Sequence, residues 1–318
     1  MSQVLVSVKG LKQHFAKGRA VLKAVDDVSF DISAGETLGM VGESGSGKST
    51  CARAILRLYE PTEGEVRVDG EDVRRLSPRR LREVRRKMQI VFQDPLASLP
   101  PHMPVGQIVA EPLRIHGIGN PRERQAEALR LLDLVGVPAR QAGAYPHEFS
   151  GGQQQRIGIA RALALKPSFI VLDEPVSALD VSIQAQVLNL LDELQRSFGL
   201  TYLFIAHNLA VVKYISTRVA VMYLGRLMEI GPTVGMYRTP AHPYTQALLS
   251  AVPKMPKGEG TALSRIMLSG EVPSPLNPPR GCRFSTRCWL ADERCRTEAP
   301  ELKEISPGHE VACHRVQR

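Results

Sequence analysis

Thr37-Leu38-Gly39-Met40-Val41-Gly42-Glu43-Ser44-Gly45-Ser46-Gly47-Lys48-Ser49-Thr50 is the stretch on which the reading of this chain turns. Thr37 to Val41 makes a short apolar strand, Gly42 to Thr50 fits G-x4-G-K-[ST], and a helical pattern follows from Lys48 to Leu58. Strand, glycine-rich loop and helix in that order is the setting in which such a loop cradles phosphate. The glycines let the backbone curl until successive N–H groups face the phosphate oxygens, helped by the positive end of the helix. Gly42, Ser44, Gly45, Gly47 and Thr50 are expected to build the cradle. Lys48 is expected to reach the β- and γ-phosphates, and the Ser49 hydroxyl to ligate Mg²⁺. Alone, the loop identifies a nucleotide binder and nothing more.

A second element narrows the chemistry. Phe169-Ile170-Val171-Leu172 is an unbroken apolar run, as a buried parallel strand requires, and it ends in Asp173-Glu174-Pro175. Carboxylates at the carboxyl end of a strand sit where α/β sheets place their ligands. Asp173 is expected to hold Mg²⁺, and Glu174 to polarise the attacking water. A third element is Phe149-Ser150-Gly151-Gly152-Gln153-Gln154-Gln155-Arg156. Ser150 is a good helix N-cap, and the glycines after it leave backbone N–H groups uncovered.

This last run resembles the signature sequence of ABC ATPases, with Phe149 where Leu is commoner. The resemblance covers roughly residues 4 to 231 and implies an α/β P-loop (RecA-like) core with an antiparallel β subdomain and a helical subdomain. It also implies that Ser150, Gly151, Gly152 and Gln153 bind the γ-phosphate held by an opposite subunit, so that the chain works as half of an ATP-sandwich dimer. Further matches follow in the family's order. Gln93 resembles the Q-loop glutamine that senses Mg²⁺ and the attacking water. Ser177-Ala178-Leu179-Asp180 resembles the D-loop, and His207, after the apolar run Thr201 to Ala206, resembles the switch histidine. Phe15 is the expected adenine-stacking aromatic. Gln93, Glu174 and His207 form the expected catalytic set.

Within the family, Gln93-Asp94-Pro95-Leu96-Ala97-Ser98-Leu99, Tyr145-Pro146-His147-Glu148-Phe149 and His242-Pro243-Tyr244-Thr245-Gln246-Ala247-Leu248-Leu249 resemble peptide-importer ATPases, the F-type subunit in particular. Pro100-Pro101-His102 departs from the usual Asn-Pro-Arg there and touches no catalytic position. The resemblance implies a D-type partner ATPase, two transmembrane permease subunits and a periplasmic peptide-binding protein. The chain would sit peripherally on the cytoplasmic face of the bacterial inner membrane. Nickel, glutathione or another small solute remains an alternative cargo.

Composition agrees with this. The 43% hydrophobic and 23% charged content is that of a globular protein. No apolar run approaches the roughly 18–20 residues of a membrane helix, and the first residues carry no signal segment. The net charge of +9 is concentrated between Glu71 and Met88, where eight Arg or Lys residues face three acids. That stretch has no interleaved aromatics, so no nucleic-acid partner is expected. A soluble ABC mechanoenzyme acting on nucleic acid would show two cassettes or an aromatic-basic platform, and neither is visible.

The expected domains are a nucleotide core at 1–94 and 151–231, a helical subdomain at 95–150, an extended linker at 232–279 and a cysteine-rich segment at 280–318. Nine prolines in the 48 residues from Pro232 to Pro279 suggest the linker. In the last segment Cys282, Cys288, Cys295 and Cys313 follow C-x5-C-x6-C-x17-C. Four thiols without tight pairs suit a [4Fe–4S] cluster better than zinc, and free thiols are the third alternative. Some peptide-importer members carry such a cluster on matching cysteines. Cys51, inside the first helix, reads as a small buried side chain.

Overall fold

The computed structural model describes residues 3–18, 20–252 and 266–317. In chain order the strands and helices are β1 (Val4–Lys17), β2 (Ala20–Ser33), β3 (Thr37–Val41), α1 (Lys48–Ile55), β4 (Glu63–Val68), β5 (Glu71–Asp72), α2 (Pro78–Val84) and β6 (Met88–Val91). There follow α3 (Pro95–Ser98), α4 (Val105–Ile115), α5 (Pro121–Leu134), α6 (Gly151–Leu163), β7 (Phe169–Asp173), α7 (Val181–Phe198) and β8 (Thr201–Ile205). The chain closes with α8 (Leu209–Ile215), β9 (Arg218–Tyr223), β10 (Arg226–Pro232), α9 (Thr233–Arg238), α10 (Pro243–Ser250), α11 (Glu293–Thr297), β11 (Lys303–Ser306) and β12 (His309–Val311).

These elements divide into two units. One holds Met1–Leu5, Ser33–Glu36 and Arg75–Ile205; the other holds Val6–Ile32, Thr37–Arg74 and Ala206–Arg318. In the first, β6, β7 and β8 run parallel, with Met88 opposite Phe169 and Phe169 opposite Thr201. Every residue of β7 and β8 is buried, which is why their sequences are continuous apolar runs rather than alternating ones. Helices α3 to α6 pack on one another in this unit. Helix α5 starts on a full capping box, Asn120 with Glu123, and Pro121 stands at its first turn, where the missing N–H costs nothing.

In the second unit β3 lies parallel to β9, and β9, β10, β12 and β11 continue antiparallel. A separate antiparallel sheet has the order β2-β1-β4-β5. β1 is therefore an inner strand. Among the described residues no helix is long and apolar enough to cross a membrane.

The extended linker is corrected over its first part. Thr233–Arg238 and Pro243–Ser250 are helical, and Pro243, Tyr244, Thr245 and Ala247 are buried. Pro232 and Pro243 act as helix starters here, not as spacers. Residues 253–265 of that stretch lie outside the described residues.

Glu229, wholly buried on β10, organises this region. Its carboxylate accepts from the N–H groups of Ala241 and His242 at 2.9 Å each, and pairs with His309 Nε2 at 2.7 Å. His242 in turn caps α10, its Nδ1 accepting from the Tyr244 N–H at 3.0 Å. Burial pushes the His242 imidazole down to about 3 from 6.5. The unfolded chain therefore takes up this proton first as pH falls. The contribution is complete above pH 6.5 and is lost on going down towards 3. Stability should fall by up to about 1.4 kcal/mol per pH unit in that window on account of this one group. His242→Asn keeps a capping acceptor and removes the titration, so urea denaturation at stepped pH should give a shallower slope for that variant. An unchanged slope would assign the acid sensitivity elsewhere.

Candidate functional site

The phosphate loop lies in the second unit. β3 delivers Gly42 and Glu43, the loop passes Ser44 and Gly45 at the surface, and α1 begins at Lys48. Two glycines are required by their surroundings. A Cβ on Gly42 would stand 2.1 Å from the Met222 carbonyl oxygen, and one on Gly47 2.2 Å from that of Ala24. Gly47 is also the N-cap of α1, left-handed at φ 104° and without a side-chain cap, so the first N–H groups of α1 have no capping side chain. Lys48 is only 5% exposed. Its ammonium donates to the Gly42 and Glu43 carbonyls at 2.8 and 3.0 Å and to Ser46 Oγ at 3.2 Å. Ser49 and Thr50 are half-buried on the first turn.

His207 and Phe15 belong to the same unit. The Ala206 N–H donates to the Met40 carbonyl at 3.2 Å, which sets the exposed His207 just beyond the end of β3. Asn208 then caps α8 through the Ala210 N–H. Phe15, half-exposed, meets the ring of Tyr59 edge-on at 5.4 Å. Tyr59 was not singled out by sequence; an aromatic just beyond a helix carries no signal of its own.

The first unit holds the carboxylates and the signature. Asp173 closes β7 and is 1% exposed. Glu174 follows in a left-handed backbone at φ 48°, unusual for a non-glycine residue and a form of strain that collects at functional sites. Its N–H donates to the Ile205 carbonyl at 3.0 Å, and its carboxylate accepts from Gln93 Nε2 at 3.1 Å. Gln93 and Glu174, 81 residues apart in the chain, are thus in direct contact.

Ser150 caps α6 with a reciprocal box. Its Oγ accepts from the Gln153 N–H at 3.4 Å, and Gln153 Oε1 accepts from the Ser150 N–H at 3.0 Å. Ser150 and Gly151 are exposed, whereas Gly152 is buried, with room for a Cβ denied by Ile183 at 2.4 Å. Asp180 is an exposed N-cap of α7.

A family model for ABC transporters matches residues 25–177, and one for the C-terminal region of oligopeptide/dipeptide transporters matches residues 228–295. A putative peptide import ATP-binding protein of Brucella abortus (strain 2308) is 56% identical over 311 residues, spanning 98% of each chain. The chain belongs to the oligopeptide-type ABC transporter ATP-binding family. The oligopeptide transport ATP-binding protein AppF of Bacillus subtilis (strain 168) is also 56% identical, over 92% of this chain and 89% of that one. The solved ATP-binding cassette MJ0796, in a dimeric post-hydrolysis state with ADP and Pi, is 33% identical with a TM-score of 0.67. That likeness covers 72% of this chain and 99% of the cassette.

Membership of the ABC family brings ATP and Mg²⁺ with it, and the residues of the loop fit the phosphates. The loop has glycines where backbone approaches closely, an uncapped helix start and a buried lysine that now rests on the loop's own carbonyls.

The iron-sulfur cluster, with zinc as its alternative, is corrected. Cys282, Cys288, Cys295 and Cys313 do line one small cavity, together with His242. Yet among the described residues no group of three or more His, Cys, Asp or Glu side chains is arranged to hold a metal ion. Burial raises all four thiols above their ordinary range, Cys282 to about 12. They are free thiols packed into a small apolar core. Cys51 is wholly buried, and its thiol is likewise pushed up to about 12.

Proposed function

We propose that this chain is one of the two ATPases energising an importer for dipeptides or oligopeptides. The observation that carries the reading is the joining, in one chain, of an ABC cassette to the C-terminal region of oligopeptide/dipeptide transporters. The peptide-import names of relatives at 56% identity support the same cargo class.

ATP is the substrate. Lys48 leaves the Gly42 and Glu43 carbonyls for the β- and γ-phosphates, while the N–H groups of Gly45, Gly47, Lys48, Ser49 and Thr50 bind phosphate oxygens and Phe15 stacks on adenine. Ser49, Asp173 and Gln93 would hold Mg²⁺, which supplies positive charge to the phosphate oxygens. Glu174 accepts a proton from, or orients, the attacking water that Gln93 helps to place. His207 contacts the γ-phosphate. Ser150, Gly151, Gly152 and Gln153 close over the ATP held by a second, D-type ATPase subunit, with Asp180 at the crossing, and that subunit's signature closes over the ATP held here. The 95–150 region receives two transmembrane permease subunits, on the cytoplasmic face of the inner membrane. Closure of the ATP sandwich opens those subunits outward to a periplasmic peptide-binding protein, and hydrolysis resets them.

The reading is tested by tagging the Glu174→Gln chain, solubilising membranes with ATP present and identifying what co-purifies. Two multi-span subunits and a second ATPase are expected. Recovery of ribosomal or DNA-bound partners alone would leave the ATPase chemistry and overturn the transporter.

A further inference from the structure

We propose that Arg287 and Tyr244, both from the C-terminal region, are positioning residues for the phosphate loop, and that Arg287 acts by neutralising the carboxylate of Glu43. The inference rests on the reading of that loop as the ATP site.

Glu43 is the second residue of the loop, and its polar groups are all engaged. Its carbonyl accepts from Lys48 Nζ at 3.0 Å and from the Ser46 N–H at 3.1 Å. Its N–H donates to the Tyr244 hydroxyl at 2.9 Å. Both of its carboxylate oxygens accept from Arg287 Nη1, at 3.1 and 2.9 Å. Arg287 keeps only 10% of its side-chain surface exposed, and Glu43 27%. The pair is therefore better shielded than an ordinary surface ion pair, although water still reaches one side.

The base of this clamp is buried. Tyr244 is wholly buried and packs against Tyr223 and Phe284, with ring centres 4.7 and 5.2 Å apart. Four residues before Arg287, Arg283 makes a second ion pair with Asp26, both side chains being buried. Burial alone would raise the Asp26 carboxyl, but Arg226 and Arg283 beside it hold it below the ordinary carboxylate range. The Asp26 N–H donates to the Gly225 carbonyl, and the Gly225 N–H to the Ser46 carbonyl, so this second pair also leads back to the loop.

The physical consequence concerns charge. A triphosphate entering the loop meets a carboxylate two residues before Gly45, and like charges a few ångströms apart repel unless one is compensated. Arg287 compensates Glu43. Tyr244 meanwhile holds the Glu43 backbone, so that Lys48 can release its carbonyl without the loop collapsing. With Arg287 removed, the carboxylate is free to oppose the phosphates or to draw Lys48 onto itself. The loss should scale with the charge of the nucleotide and shrink as salt screens it.

The experiment is an equilibrium titration of the full chain with ATP and with AMP at low and high salt, for the unchanged protein and for Arg287→Gln, Arg287→Lys and Glu43→Gln/Arg287→Gln. Failure of the unchanged chain to bind ATP would overturn the site itself, separately from this inference. Given that binding, Arg287→Gln is expected to weaken ATP about tenfold at low salt and AMP little. Arg287→Lys should recover part of the loss. The double variant should return to within about threefold of the unchanged chain, because the charge to be compensated is gone. Unaltered ATP affinity in Arg287→Gln, or a double variant as weak as Arg287→Gln, overturns the proposal. If Arg287→Gln does not fold, as read by urea denaturation, the double variant decides: ATP affinity more than about threefold below that of the unchanged chain overturns the proposal.

Discussion

Glu174→Gln is expected to lower ATP hydrolysis by about two to four orders of magnitude while leaving ATP binding intact. The reason lies in how the side chain is held. Glu174 follows the buried strand β7 in a left-handed backbone, fixed by its N–H on the Ile205 carbonyl, and its carboxylate already accepts from Gln93. Glutamine has the same shape and keeps an oxygen for Gln93, so the local geometry survives. What it lacks is the negative charge that, in the proposed mechanism, accepts or orients the proton of the attacking water. In the two-ATPase assembly proposed above, a variant that binds ATP and does not cleave it should accumulate in the ATP-clamped state. Phosphate release measured alongside light scattering of the reconstituted pair reads both effects. Turnover within threefold of the unchanged protein would remove Glu174 from the base role and leave Gln93 or His207 to be examined.

The strands that carry chemistry were legible because their two demands coincide in sequence. A fully buried parallel strand must be apolar throughout, and the loop after it must break that pattern with glycine or with charge. Thr37–Val41 into Gly42 and Phe169–Leu172 into Asp173 both show this, and both strands are where expected. The reciprocal cap of Ser150 and Gln153 was half visible, since Ser150 announces a helix start at the first glycine. The C-terminal region was misread for the opposite reason. Its prolines and cysteines are ambiguous residues whose meaning depends on what packs around them. Pro243 reads as a spacer until it is seen in the first turn of α10, and four clustered cysteines read as a metal set although, among the described residues, no group of side chains is arranged to hold a metal ion. The clamp on Glu43 was beyond reach altogether. Tyr244 and Arg287 stand 201 and 244 residues from it, and neither a tyrosine in a helix nor an arginine beside a cysteine signals a contact across such a separation.

Gly47→Ala is expected to abolish ATP binding, by more than about a hundredfold, and to cost roughly 3–5 kcal/mol of stability. Two penalties combine at this residue. Its φ of 104° lies in the left-handed region that L side chains rarely adopt. Its added Cβ would also stand 2.2 Å from the Ala24 carbonyl oxygen, 2.9 Å from Met222 Cε and 3.3 Å from the Ala24 carbonyl carbon. The methionine end can move aside, but the backbone of β2 cannot do so without disturbing its pairing. The loop must shift instead, and it carries the start of α1 and Lys48 with it. Gly45 supplies the control. Its φ of 77° is also left-handed, but a Cβ there meets nothing within 4 Å, so Gly45→Ala should cost only the backbone strain, about 1–2 kcal/mol. Urea denaturation and ATP titration of the two variants side by side separate strain from collision. Equal stability losses would mean that the close approach of Gly47 to β2 does not constrain the loop. A Gly47→Ala chain that still bound ATP normally would show that the cradle does not depend on the path its backbone takes at this glycine.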